Sequence, residues 1–302
     1  MLLLGGGYIC SFPVPAFMLI SFILTTNTIK VGERGKIFRR LQKLYMPQFV
    51  WALIYWTIHQ MFMLASYRNV SDLGWQLSVG CSRNLNPPMW YQSNLILLTI
   101  VFIIFYKIFK DKIIYIILII LSGSLFIQYS GVNHKLFINS IYEIRYPLGR
   151  IIEMLPYACL GVLFVECDLF KKIRSNQRVV SMILIIICVI GVVCDKLFKP
   201  EGFGYQGVQR IVIGLFIVVN FYIYPFKKIK GKIQKIVFFI SRYSLGIYCM
   251  HFIVGQSMNS LFIKIGWKRG TISECMLIYL LCLVGAVGIA KIPLKWCRDI
   301  VM

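Results

Sequence analysis

Apolar runs long enough to cross a bilayer follow one another from end to end of this chain, at residues 8–29, 45–65, 90–106, 113–130, 148–166, 179–197, 208–225, 237–262 and 273–294. Within each run the apolar positions are continuous rather than alternating with period two, which predicts helices and argues against a barrel. A helix needs about 20 apolar residues to cross a hydrocarbon core of ~30 Å. Inside that core only helices or closed barrels satisfy every backbone N–H and C=O. The pattern therefore predicts an all-α, polytopic membrane helix bundle of about nine transmembrane helices. No fixed-period repeat and no Gly/Ser-rich or Pro-rich linker interrupts it, so residues 1–302 read as one membrane domain.

The polar gaps orient these helices. The gap after the first run holds Lys30, Arg34, Lys36, Arg39, Arg40 and Lys43 against the single acid Glu33, which places it in the cytoplasm by the positive-inside rule. The next strongly basic gaps are every second one. They hold Lys107, Lys110 and Lys112, then Lys171, Lys172, Arg174 and Arg178, then Lys227, Lys228, Lys230, Lys232 and Lys235, with Lys291, Lys295 and Arg298 at the C-terminus. Lys264, Lys268 and Arg269, in the last outer gap, run against the rule, and the majority decides for a cytoplasmic C-terminus. The expected location is a bacterial-type cytoplasmic (inner) membrane. The opening residues MLLLGGGYICSF have neither a basic n-region nor a small-residue cleavage site, so they are not read as a secretory signal peptide.

Composition adds two exclusions. A net charge of +22 raises the possibility of nucleic acid, but the basic residues sit in short gaps and form no continuous aromatic and basic strip, so no nucleic-acid partner is expected. The 10 cysteines contain no CxxC pair, and Cys159, Cys188, Cys249 and Cys282 lie inside apolar runs. They read as small apolar packing rather than as a disulfide framework or a metal site.

Several segments, in order, resemble the acyltransferase 3 family of integral membrane acyltransferases, which modify cell-envelope molecules with O-acetyl or related groups. PVPAFMLISFIL (13–24) is similar to the family's second helix, although Phe22 follows Ser21 where a glycine usually stands. RRLQKLYMPQFVWALIYW (39–56) resembles the family's basic turn, with Arg40 and Lys43 on its R-x-x-R pair. Lys43 keeps the charge of the second arginine and loses its planar fork. PPMWYQSNLILL (87–98) and RIIEMLPYACLGVLF (150–164) resemble two further helices, and ISRYSLGIYCMHFIV (240–254) matches the late S-x-G-I-Y-x-x-H element. The resemblance covers nearly the whole chain. It also implies one more helix ahead of these, carrying an arginine and the histidine held essential for acyl transfer, so this chain reads as N-terminally truncated relative to the family.

Acyl transfer to a hydroxyl needs a base, a stabiliser of the developing oxyanion and a path for the donor. Ionisable residues inside a membrane are costly and are functional candidates by default. His251 leads as catalytic base, about 21 Å along a straight helix from Val237 and so in the outer half of the bilayer. Ser244 and Tyr248, seven and three residues before it, share its face and serve either chemistry or helix packing. Glu153 joins the catalytic set. Arg150, three residues earlier on the same face, and Arg210 at the start of the next outer helix end read as acceptor-binding residues, with Trp90, Tyr91 and Asn94, or as snorkelling and interfacial-belt residues. Arg39, Arg40 and Lys43 bind anionic lipid headgroups, or, as the resemblance implies, the phosphates of an acyl-coenzyme A donor. His59 and His134 match no motif.

The resemblance implies an O-acetyltransferase that uses acetyl-coenzyme A as donor substrate, with no bound cofactor. Its acceptor would be a cell-surface or capsular polysaccharide or glycolipid, and its other partners the membrane lipids. A transporter or flippase of a polysaccharide intermediate suits the same bundle, but the paired half-repeats expected of one are not found. An inactive truncated remnant is the third reading.

Overall fold

The computed structural model describes residues 13–32, 34–62, 90–130, 142–199, 205–223, 231–266, 272–293, 297–298 and 301. The elements are α1 (Pro13–Val31), α2 (Arg34–Phe62), α3 (Trp90–Phe109), a 3-10 turn (Lys110–Lys112) and α4 (Ile113–Tyr129). Then come α5 (Tyr142–Glu166), α6 (Leu169–Ser175), α7 (Gln177–Phe198) and α8 (Val208–Ile223), followed by α9 (Lys232–Arg242), α10 (Ser244–Lys264) and α11 (Ile272–Lys291). Among the described residues there is no strand, as the all-α reading requires. His134, the loop 66–86 and Lys227, Lys228, Lys230, Lys268, Arg269 and Lys295 lie outside the described residues, as does the side chain of His59.

Among the described residues each expected span falls on one helix except 237–262, which is divided between α9 and α10, and length and apolarity by themselves qualify only four stretches as crossings: Val14–Val31, Trp90–Tyr129, Val179–Phe198 and Ser273–Lys291. A fifth is added if Lys232–Arg242 and Ser244–Gly255, bent 63° apart, count as one. The count of nine is therefore not established. The shortfall has visible causes: α2 opens on the basic stretch Arg34–Lys43, α5 carries Arg150 and Glu153, and Trp90–Tyr129 merges two expected spans into one 40-residue run.

The helices group into two compact units that interleave along the chain, residues 1–41 with 94–226 and residues 42–93 with 227–302. In the first, α1 lies against α5 and α8. Ala16, Leu19 and Ile23 of α1 pack with Phe164 of α5 and with Val218 and Val219 of α8. Gly161 permits the close approach: a Cβ there would stand 2.6 Å from Cβ of Phe22 and 2.9 Å from the Leu19 carbonyl. The outward face of α1 is Phe17, Ile20 and Leu24, while its inward face buries Thr25 and Thr26. Apolar residues on the outward face as well as in the core mark a helix bathed in lipid.

In the second unit α10 packs on α11, around a core of Trp51, Tyr55, Cys249, Ala286 and Val301. Gly246 meets Val301 directly, donating its N–H to the Val301 carbonyl at 3.1 Å, and a Cβ at 246 would stand 2.8 Å from Cβ of both Ala286 and Val301. The glycine of the SLGIY stretch is thus a packing requirement. Pro47 lies inside α2, where the missing N–H disturbs the ladder around the preceding carbonyls. The side-chain amide of Gln92, itself buried, donates to the Leu44 carbonyl at 2.7 Å and supplies one of the bonds such a site needs in lipid.

Candidate functional site

Three polar clusters stand out. The first surrounds Arg40. Its Nε donates to Thr25 Oγ1 at 2.6 Å and its Nη2 to the Ser21 carbonyl at 2.8 Å, while Thr25 Oγ1 donates to the same carbonyl at 2.7 Å. Thr25, Thr28, Ile29, Ile37, Arg40, Thr99 and Ile103 line a shallow recess there. The result is a guanidinium held by one hydroxyl and one carbonyl on an otherwise apolar wall. Arg39 and Lys43 are exposed instead, so the three basic residues grouped by sequence do not share one environment. At the last turn of α1, Glu166 accepts from Tyr106 Oη at 2.8 Å and pairs with Lys30 Nζ at 3.4 Å.

The second cluster holds Tyr205, just ahead of α8. Glu153 is completely buried, and its carboxylate accepts from Arg150 Nη1 at 3.2 Å and from the Tyr205 N–H at 3.4 Å. Tyr157, one turn later on α5, donates to the Tyr205 carbonyl at 2.8 Å, and the Arg150 guanidinium lies 5.4 Å from the Tyr205 ring centroid. A parallel clamp holds the next residues. Asp195 accepts from the Tyr129 hydroxyl and, at 3.2 Å each, from the N–H groups of Val208 and Gln209, while Gln128 accepts from the Gly207 N–H at 3.2 Å. A carboxylate on the first N–H groups of α8 satisfies donors that helix geometry leaves open. Gly207, at φ 98°, is the residue type this turn needs, because a Cβ would stand 2.6 Å from Asp195 Oδ2.

The third cluster belongs to the second unit. Trp90, Tyr91, Tyr248 and His251 form a chain of ring contacts, with centroids 6.3, 6.0 and 5.7 Å apart in that order. His251 Nδ1 lies against the Tyr248 carbonyl, one turn back on α10. On the other side of the same turn, the Tyr55 hydroxyl donates to the Cys249 carbonyl at 2.8 Å and accepts from the Ile253 N–H at 3.3 Å. A side chain therefore enters the i to i−4 rung that brackets His251, one of the ways a helix is locally opened. The break at Tyr243 also shortens the axial distance to His251. Counted from Ser244 it is about 10 Å rather than the ~21 Å of a straight helix from Val237.

The structure thus unites Arg150 with Glu153, and Tyr91 with Tyr248 and His251. Arg150, Glu153, Arg210 and Asn94 belong to the first unit, Trp90, Tyr91, Ser244, Tyr248 and His251 to the second. Ser244 is exposed at the first turn of α10, and Asn94 is buried. Sequence reasoning missed Thr25, Tyr55, Asp195 and Tyr205. Asp195 alone carried a signal, as an acid near the end of an apolar run; a threonine or tyrosine in an apolar helix has none until its partner is known.

These features define a helical membrane protein with polar clusters built between its helices. The acyltransferase 3 family model, described as an acyltransferase domain, matches residues 1–291, and the chain belongs to that family of membrane acyltransferases. No curated protein and no solved structure matches it.

Proposed function

We propose that this membrane acyltransferase moves an acetyl group from acetyl-coenzyme A to a hydroxyl of a cell-surface polysaccharide or glycolipid. The thioester C–S bond breaks, an ester C–O bond forms, and the proton of the acceptor hydroxyl leaves through His251 to the departing thiolate. Tyr248 and Ser244 are assigned to orient that imidazole and the oxygen developing charge, and Glu153 to fix Arg150 and the Tyr205 segment. Arg150 and Arg210, with Trp90, Tyr91 and Asn94, are assigned to the acceptor, and Arg39, Arg40 and Lys43 to the donor phosphates. In this reading the protein lies in a bacterial cytoplasmic membrane with its C-terminus inside.

The observation that carries the reading is the Arg40 guanidinium held by Thr25 and the Ser21 carbonyl beside the recess, in a chain of this family. The test is transfer of labelled acetyl from acetyl-coenzyme A to glycan in membranes containing the full chain. With Arg40→Gln and Lys43→Gln combined, the apparent KM for the donor is expected to rise about tenfold or more at unchanged protein abundance. Unchanged donor dependence would leave these residues to lipid and topology. Glycan translocation without any acetyl transfer would replace the enzyme reading with the flippase one.

A further inference from the structure

α9 (Lys232–Arg242) has a sequence, KIQKIVFFISR, unlike that of the spanning helices. Ile233, Ile236, Val237 and Ile240 fall on one face at helical spacing, while Lys232, Gln234, Lys235, Ser241 and Arg242 fall on the other, with the exposed Phe238 and Phe239 among them. Three basic residues and no acid occur in the helix. None of its residues is buried, and Ile233 and Ile236 are 63% and 56% exposed. A charged amphipathic helix whose apolar face is half uncovered, at Ile233 and Ile236, in a lipid-embedded protein has two courses: it is the first half of a crossing, or it lies flat in the interface.

Length and direction decide. By length α10 suffices for a crossing, its 21 residues rising about 31 Å, the thickness of the hydrocarbon core, although the stretch reaches the apolarity of a crossing only when α9 is joined to Ser244–Gly255. α9 is surplus in length, and it leaves the line of α10 at a 63° bend. Carried on as a spanning segment it would draw Arg242, about 15 Å in from Lys232, into the hydrocarbon at a cost of a few kcal/mol. Laid in the plane, it sinks its isoleucine face at the acyl boundary and keeps its ammonium and guanidinium groups at headgroup level.

We infer that α9 is an in-plane interfacial helix that binds the anionic phospholipid headgroups of the adjoining leaflet through Lys232, Lys235 and Arg242. The proposal is independent of the acyl-transfer chemistry. It fits a partner defined by charge, a phosphate-bearing lipid surface, which complements a helix with basic side chains and no acidic one.

The test places an environment-sensitive fluorescent amino acid at each position from 232 to 242 of the full chain in vesicles of phosphatidylcholine and phosphatidylglycerol. Quenching by shallow nitroxide lipid is expected to peak at 233, 236, 237 and 240, and quenching by aqueous iodide at 234, 235 and 241. A smooth depth gradient from 232 to 242 would overturn the in-plane placement. Separately, Lys232→Gln, Lys235→Gln and Arg242→Gln together are expected to lower enrichment of phosphatidylglycerol beside α9, by about fivefold per charge at low salt and less at high salt. Enrichment unchanged in that variant would overturn the choice of partner. The three charge substitutions fall on exposed positions and none of the labelled positions is buried, and spectroscopic placement does not depend on activity.

Discussion

Glu153 has no exposed surface, and Arg150 and the Tyr205 N–H are among the groups that make its charge tolerable there. Removing one partner of such a pair leaves the other unmatched, which costs more than the pair contributes. Glu153→Gln is therefore expected to lower stability in detergent by about 1–3 kcal/mol, read as a drop in Tm. Little or no change would show that Tyr157 and the Asp195 clamp hold Tyr205 unaided. Tyr55 is a subtler case, because its hydroxyl sits inside the Cys249–Ile253 rung that brackets His251. Tyr55→Phe keeps the ring and loses the wedge, at about 1 kcal/mol or less. On the proposed mechanism His251→Gln lowers acetyl transfer at least about tenfold at equal abundance. Tyr55→Phe is expected to lower kcat with little change in KM, since it shifts the imidazole and not the donor recess. Wild-type turnover in both variants would make that turn purely structural.

At the level of the helix, glycines decide which pairs come close. Gly161 lets α5 press on α1, and the atoms a Cβ would meet are the backbone of Leu19 and the Cβ of Phe22, neither of which can swing away. Gly161→Ala is expected to cost about 1–3 kcal/mol through overpacking. Gly288, on α11, faces open space, and a Cβ added there would meet nothing within 4 Å. Gly288→Ala is expected to be neutral or to stabilise by up to about 1 kcal/mol through helix propensity. Denaturant titration of the two variants in the same detergent separates packing from propensity, and equal effects would refute the close-approach account.

Over the whole molecule the distribution of polarity is that of a protein solvated by lipid. Met182, Ile183, Ile185, Ile186, Val189, Ile190 and Val193 of α7 are exposed, while Thr25, Thr26, Gln48, Gln92, Gln128 and Glu153 are buried. The basic gaps predict an orientation. A reporter fused after Lys43 or at 230 is expected to be shielded from outside reagents, and one within 66–86 to be reached by them. The opposite pattern at both places would invert the assigned orientation.

The sequence by itself determined the class of the protein. Continuous apolar runs can only be helices in lipid, because the backbone has no other partner there, and the SLGIYCMH and RRLQK stretches carry the family in their order along the chain. It also placed Glu153 beside Arg150 and Tyr248 beside His251, since both pairs are one helical turn apart and local geometry fixes them. What it could not determine was anything that depends on a second helix. That Arg40 turns onto Thr25 and Ser21, that Tyr55 enters the turn of His251, that Asp195 caps α8, and that α9 bends away from α10 follow from which helices pack together and where each one ends. An apolar pattern that points every way round a helix names no neighbour, and only the tertiary structure, by choosing those neighbours, gives the polar side chains between them their partners.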